Sequence, residues 1–293
     1  MASLNPCVSG TSPAFATGFA ALAALHSDAP ASSRPATTTA TKPTPAAAKP
    51  AAAEPKPAAA EPKPAASKPA VAAKPPSATG TVEPPRMSAE EVAACSVNQS
   101  VSTQQQRLMD LAASIGLSSA KFARVRGDYY EQEMVWRRDV IGAASVMQLC
   151  KSMIMENTKV KDKTVEECRE AGRVKYVCVV VQYDGPNLNR EKLTDVVQAM
   201  EGSKAVGKKQ YNMRMVDGDV SAALSGFEHN AVTPLGMATP LPVVLSARIA
   251  KVPDGQLWLG GGEPDLKLRV DGDEFIKVFN AMDGFSAQFS DVV

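Results

Sequence analysis

Apolar residues recur with helical spacing at Leu108, Leu111, Ala112 and Ile115, and the spacing predicts a helix over 103–115 that stops at Gly116. Upstream, Ser88-Ala-Glu-Glu91 has the form of a capping box, so order is expected from about Met87. A charged stretch containing Trp136 predicts a second helix over 130–140. The segment 143–155 divides into a short helical turn and a strand, Lys151 to Met155, with Lys151 at its start. Lys175 to Gln182 is a near-continuous apolar run, as expected of a strand covered on both faces. The polar connection 157–172 between these strands reads as a surface insertion.

Further on, Asn189 caps a helix to Met200 with Leu193, Val196, Val197 and Met200 inward. Tyr211 to Val216 alternates as a strand, and Val220 to Leu224 forms a helical turn ending at Gly226. Strands are expected over 243–249, 256–259 and 266–270, and a helix over 273–282. Helices and strands intermix without regular alternation. The pattern predicts a mixed, partly antiparallel α/β domain rather than a doubly wound sheet.

Composition divides the 293-residue chain. Residues 1–86 are mostly Ala, Pro, Ser, Thr and Lys, too poor in apolar surface to offset chain entropy, and are expected to form a disordered tail. A seven-residue unit, Ala-Ala-Ala-Glu-Pro-Lys-Pro, occurs twice in succession from Ala51 to Pro64. Its prolines and its lack of large apolar residues favour an extended spacer over a coiled coil. The remaining residues are expected to form a helical extension (87–124) and one domain (125–293).

The net charge of +1 conceals an asymmetry. The tail carries 8 Lys/Arg against 4 Asp/Glu, the rest 24 against 27, so any polyanion contact should be local or assisted by the tail. The five cysteines contain no C-x-x-C pair, which points to reduced thiols and a cytoplasmic location. With only His26 and His229, a histidine-based metal site is not expected, and no metal or cofactor is called for. No run of 18 apolar residues occurs, so no membrane contact is expected. Ala14 to Leu25 is mildly apolar but follows no Lys or Arg, which fits neither a secretory signal nor an Arg-rich transit peptide; a cryptic targeting role stays open.

Two glycine/proline loops, 226–237 and 260–265, are separated by strand-like segments and read as two walls of a pocket for a planar or anionic ligand. Lys151, after an apolar segment, is the first candidate to meet a phosphate, carboxylate or polarised carbonyl; a surface lysine at a strand start is the competing reading. The Gly260-Gly-Gly262 run has neither a following Gly-Lys-Ser/Thr nor a Gly-x-Gly-x-x-Gly pattern, so nucleotide-triphosphate and dinucleotide folds are disfavoured and a tight turn is favoured. His229 is a candidate general base without an identifiable carboxylate partner. Alternation along the strand turns Cys150 away from a pocket that Lys151 faces, into the core with Cys178. Two basic clusters, Lys159, Lys161 and Lys163, and Lys204, Lys208 and Lys209, either meet phosphates or form solvated faces.

Three blocks in order resemble the YbaK/prolyl-tRNA synthetase-associated family of aminoacyl-tRNA editing domains. Leu149-Cys-Lys-Ser-Met-Ile-Met155 is similar to the segment bearing the family's active-site lysine. Gly226-Phe through Val232-Thr-Pro-Leu-Gly236 is similar to its glycine/proline loop. Trp258-Leu-Gly-Gly-Gly-Glu-Pro-Asp-Leu-Lys267 is similar to its C-terminal strand–loop–strand block. The resemblance spans about 125–279. Asn230-Ala231 stands where the family loop has glycine, and the insertion after the first strand is long.

The resemblance implies a mixed, largely antiparallel sheet or partial barrel with flanking helices, and a trans-acting hydrolase. Such an enzyme cleaves Ala or Cys from mischarged proline tRNA without a cofactor, so the aminoacyl-tRNA 3′ end is the expected partner. A synthetase complex, reached through the N-terminal region, is a further expected partner. It makes Lys151 the catalytic residue. Expected substrate-binding residues are His229, Asn230, Thr233, Pro234, Gly236, Gly260, Gly261, Gly262, Asp265 and Lys267. An activated ester needs no strong protein nucleophile, in keeping with the lack of a Ser-His-Asp or Cys-His set. Two alternatives stay open: a non-catalytic tRNA- or synthetase-binding module with the same fold, and a hydrolase of another small aminoacyl adduct.

Overall fold

The computed structural model describes residues 85–293. The expected tail, its seven-residue repeat and His26 lie outside the described residues, save for Pro85 and Arg86. In chain order the elements are α1 (Ala89–Ala94), α2 (Thr103–Ser114), β1 (Lys121–Arg124), α3 (Met134–Val140), β2 (Cys150–Asn157), α4 (Val165–Glu170) and β3 (Tyr176–Gln182). There follow α5 (Arg190–Glu201), β4 (Met213–Met215), α6 (Gly218–Ser225), β5 (Val243–Ser246), β6 (Gln256–Gly260), β7 (Leu266–Asp271), α7 (Gly272–Asn280) and β8 (Ala287–Ser290). The fold is mixed α/β with two sheets, a three-stranded β1-β7-β6 and a five-stranded β4-β2-β3-β5-β8. The three-stranded sheet is antiparallel throughout. In the other, β4-β2-β3 is antiparallel and β3-β5-β8 parallel.

The apolar run of β3 is covered on both faces. Cys178 and Val180 enter a core shared with Leu257, Leu259, Leu268 and Val270 of the other sheet and with Phe275 and Phe279 of α7. Val177, Val179 and Val181 face the opposite way, toward Leu193 and Val197 of α5. Helix α2 contributes Leu108, Leu111 and Ala112 to the first core, as their spacing predicts, and Gly116 follows with φ +76°. The capping box at Ser88 and Glu91 forms, and Asn189 caps α5 by accepting from the N–H groups of Glu191 and Lys192.

Several expectations are corrected. The predicted 130–140 helix is a 3-10 turn (Tyr129–Glu131) and a short α3, because the chain turns at Gln132. The 157–172 connection is largely exposed, as expected of a surface insertion, but it also holds an unforeseen α4, with a capping box between Thr164 and Glu167 and a buried Cys168. The strand expected to reach Ile249 ends at Ser246, and the one expected over 211–216 shortens to Met213–Met215. Strands β1 and β8 were not foreseen, being four residues each with few apolar positions. Pro85 and Arg86 touch the domain: Arg86 Nη2 donates to the carbonyls of Ala143 (3.0 Å) and Ala144 (2.6 Å), and Met87 N–H donates to Asp139 (2.8 Å).

Candidate active site

The site begins at a gap in a sheet edge. Tyr183 donates to Leu149 O and Asn157 donates to Lys175 O, so alternate residues of β2 turn their main-chain groups toward β3. The main-chain groups of Ile154 and Ser152 therefore point the other way. Val216 N–H reaches Ile154 O (3.1 Å), but β4 pairs only with Met155 to Asn157, and opposite Ser152 the chain has turned into α6 at Gly218. At the start of β2, Leu149 bridges to Trp258 of the other sheet. Between these two contacts the strand edge is open, and Lys151 and Ser152 stand there.

A hollow of about 440 Å³ lies against this gap. Lys151, Ser152, Met153 and Ile154 line one side, and Met215, Val216, Gly218 and Ser221 another. The rest comes from Phe227, His229, Asn230 and Val232 of the loop, from Gly260, and from Tyr130 and Tyr183. The Ser152 hydroxyl is buried and has no hydrogen-bond partner among the described residues. Buried polar atoms in native folds are nearly always paired, so this one is available to a bound molecule. Lys151 Nζ stands 5.7 Å from the centre of the Tyr183 ring, and among the described residues it is in no ion pair with a carboxylate. A second hollow of about 270 Å³ shares Lys151, Met153, Tyr183 and Met215 with the first and continues to Asn187 and Arg190. Lys151 thus divides two adjoining spaces.

The two glycine loops do not face each other as opposite walls; they touch. Gly262 N–H donates to Ala231 O (3.0 Å). A Cβ on Gly260 would fall 2.6 Å from Val232 O, so this position needs glycine for two backbones to meet. The run 260–262 is the tight turn that the sequence favoured, closed by Gly261 N–H to Leu266 O (2.9 Å). Asn230 adopts φ +65°, the left-handed conformation, so the turn forms although glycine is absent there.

A partly buried relay holds this turn. Tyr130 donates its hydroxyl to Asn230 O (2.8 Å), and Lys267 Nζ donates to the Tyr130 hydroxyl (2.8 Å) and to Pro264 O (2.7 Å). Lys267 is only 3% exposed, with Nζ 4.3 Å above the Tyr130 ring. Burial disfavours its ammonium and lowers its pKa to about 7, against the pull of Asp265. Burial also raises the Tyr130 and Tyr183 phenols. The Arg137 guanidinium lies 5.5 Å from the Tyr130 ring centre and 5.9 Å from that of Tyr183, and Arg137 donates to Tyr130 O.

No family model matches the chain, and no curated protein matches its sequence. Solved structures do resemble it. One is described as a candidate trans-editing enzyme for prolyl tRNA synthetase, with 20% identity, 66% of this chain and 98% of that one covered, and a TM-score of 0.48. Another is a computationally designed scaffold made by epitope backbone grafting, with 20% identity, 65% and 97% covered, and a TM-score of 0.47. A third, a hypothetical protein, has 15% identity, 63% and 97% covered, and a TM-score of 0.44. At such scores these likenesses carry no weight for chemistry, which rests on the residues themselves.

Of the expected site residues, Lys151, His229, Asn230 and Gly260 come together at the hollow. Thr233 is fully buried, its hydroxyl accepting from Leu235 N–H (3.4 Å), and Pro234 is buried beside it. Gly236 lies under α2, where Arg107 Nη2 donates to its carbonyl (3.2 Å). Gly261 and Gly262 shape the turn behind Gly260. Asp265 pairs with Arg124 (2.9 Å) outside the hollow, and Lys267 supports Tyr130 from beneath. Cys150 is in the core as expected, yet also borders the hollow, because the space wraps the open strand edge. Burial raises its thiol far above the ordinary range. Tyr130, Tyr183, Ser152, Met215 and Ser221 were not anticipated; for Ser152 its place directly after Lys151 in the Leu149–Met155 segment was an available signal.

Proposed function

We propose that the chain is a trans-acting aminoacyl-tRNA deacylase that removes a small amino acid, Ala or Cys, from mischarged proline tRNA. The observation that carries this reading is the pairing of Lys151 with the unpartnered Ser152 hydroxyl at an open strand edge, facing the His229–Asn230 turn across one hollow. The sequence resemblance assigns the same lysine. In the reaction, water attacks the ester carbonyl carbon, the bond from that carbon to the ribose oxygen breaks, and the amino acid and the tRNA terminal hydroxyl are released.

The Lys151 ammonium is suited to the carbonyl oxygen as negative charge grows there, or to the terminal phosphate. Ser152 N–H and hydroxyl are suited to hold the ester, since neither is used by the sheet there. Met153, Ile154, Val216 and Val232 give the hollow apolar walls. A larger amino acid is excluded sterically, because one methylene in an apolar pocket contributes only about 1–3 kcal/mol.

The test is hydrolysis of Ala- and Cys-tRNA(Pro) by the wild type and by Lys151→Ala. Turnover of one of the two, with at least a hundredfold loss in the variant, is expected. No wild-type turnover of either substrate removes the assigned specificity, and unchanged turnover in the variant removes the mechanism. Tight binding of the tRNA 3′ end without turnover identifies a binding module instead.

A further inference from the structure

The two basic clusters lie some 45 residues apart in the sequence, yet the fold joins them. Lys159, Lys161 and Lys163 follow β2, and Lys204, Lys208 and Lys209 precede β4. The β2–β4 pairing continues past both strands, through Thr158 N–H to Asn212 O (3.2 Å) and Asn157 Nδ2 to Gln210 O (3.1 Å). A surface hollow of about 240 Å³ is lined by Lys159, Lys161, Lys163 and Arg173 from one side and by Val206 and Gln210 from the other. Gly172 meets the Lys204 side chain, so the second cluster abuts the same rim. All six lysines are exposed, and among the described residues only Lys208 of the six is in an ion pair with a carboxylate, Asp195.

Residues 157–176 hold six Lys/Arg against four Asp/Glu, and residues 202–210 hold three Lys and no acid. These two segments are net positive on a domain that is net negative. Charge concentrated against the overall sign, with five of the six lysines in no ion pair among the described residues, marks a place where an anion can displace counterions. Arg173 is held by the buried Glu201 (2.8 Å) and so is fixed in place. The cations are spread over two connections rather than converging on one point, which suits a chain of phosphates better than a single one.

We infer that this double lysine patch binds the phosphate backbone of RNA, about 20 Å along β2 from Lys151. The identity of that RNA as tRNA rests on the deacylase reading, with the 3′ end at Lys151 and the acceptor stem on the patch.

The experiment uses the full chain as wild type and as two triple variants, K159Q/K161Q/K163Q and K204Q/K208Q/K209Q. Binding of uncharged proline tRNA is followed by fluorescence anisotropy across a KCl series. Hydrolysis of an aminoacylated CCA trinucleotide, too short to reach the patch, is measured beside it. Each variant should bind tRNA roughly tenfold more weakly, with a salt dependence shallower by about two to three, and should hydrolyse the trinucleotide as the wild type does. Wild-type affinity and salt slope in both variants would overturn the inference, as would capture by anionic vesicles with none by tRNA. If the wild type hydrolyses nothing while both variants lose tRNA affinity, the patch stands and the deacylase reading falls.

Discussion

Lys267 is the residue whose titration the fold alters most usefully. Its pKa is near 7 in the folded chain and near 10.5 when unfolded. Between these values the unfolded chain binds a proton that the folded chain does not, so this group's contribution to stability rises with pH from about 7 upward. The slope from one such group is at most about 1.4 kcal/mol per pH unit. Above pH 9 the buried Cys150 and Cys178 thiols, raised by burial, oppose it. Urea denaturation between pH 6.5 and 8.5 should therefore show a rise that Lys267→Met flattens. Because Lys267 holds Tyr130 and Tyr130 holds Asn230, the same variant should lower turnover while Lys151 is intact. At Gly260, substitution by Ala places a Cβ against Val232 O and should cost about 1–3 kcal/mol, read by urea midpoint. Neither effect is legible from the residue alone: the resemblance offers Lys267 and Gly260 as substrate-binding residues, but the burial of one beneath Tyr130 and the backbone contact of the other depend on distant residues.

Among elements, β2 and α2 matter most. The strand was legible as an apolar segment led by Lys151, but its open edge depends on where β4 stops, which no property of β2 encodes. Helix α2 was legible in position and inward face, from the spacing of Leu108, Leu111 and Ala112. Its partner was not legible. Leu108 packs where Cβ atoms on Gly236 and Gly262 would clash, so α2 braces both loops from behind. Leu108→Ala should destabilise by about 2–5 kcal/mol in chemical denaturation. At temperatures where the variant stays folded it should also raise KM, because the braced loops border the hollow.

For the whole molecule, the entry of the chain is a specific attachment. Arg86 reaches the carbonyls of Ala143 and Ala144 and stands 3.7 Å from Asp139, and Arg138 Nη2 donates to Pro85 O (3.4 Å). A truncation starting at Met87 should melt a few degrees below one starting at Pro85, since about 1 kcal/mol shifts Tm by ~2–4 °C at this size. Equal melting temperatures would make these contacts energetically neutral. Composition alone assigned both residues to the tail, because proline and a lone arginine carry no periodic signal.

The sequence by itself determined the mixed α/β class, most helices and central strands, and Lys151 as the leading candidate. Those features follow from local periodicity, capping residues and short motifs, which are written in consecutive positions. Tertiary structure alone decided that the strand edge beside Lys151 is open, that the two glycine loops touch, that Lys267 is buried beneath Tyr130, and that two lysine clusters share one surface. Each depends on residues between about 30 and 137 positions apart meeting in space, and strand pairing and burial, not local pattern, bring them together.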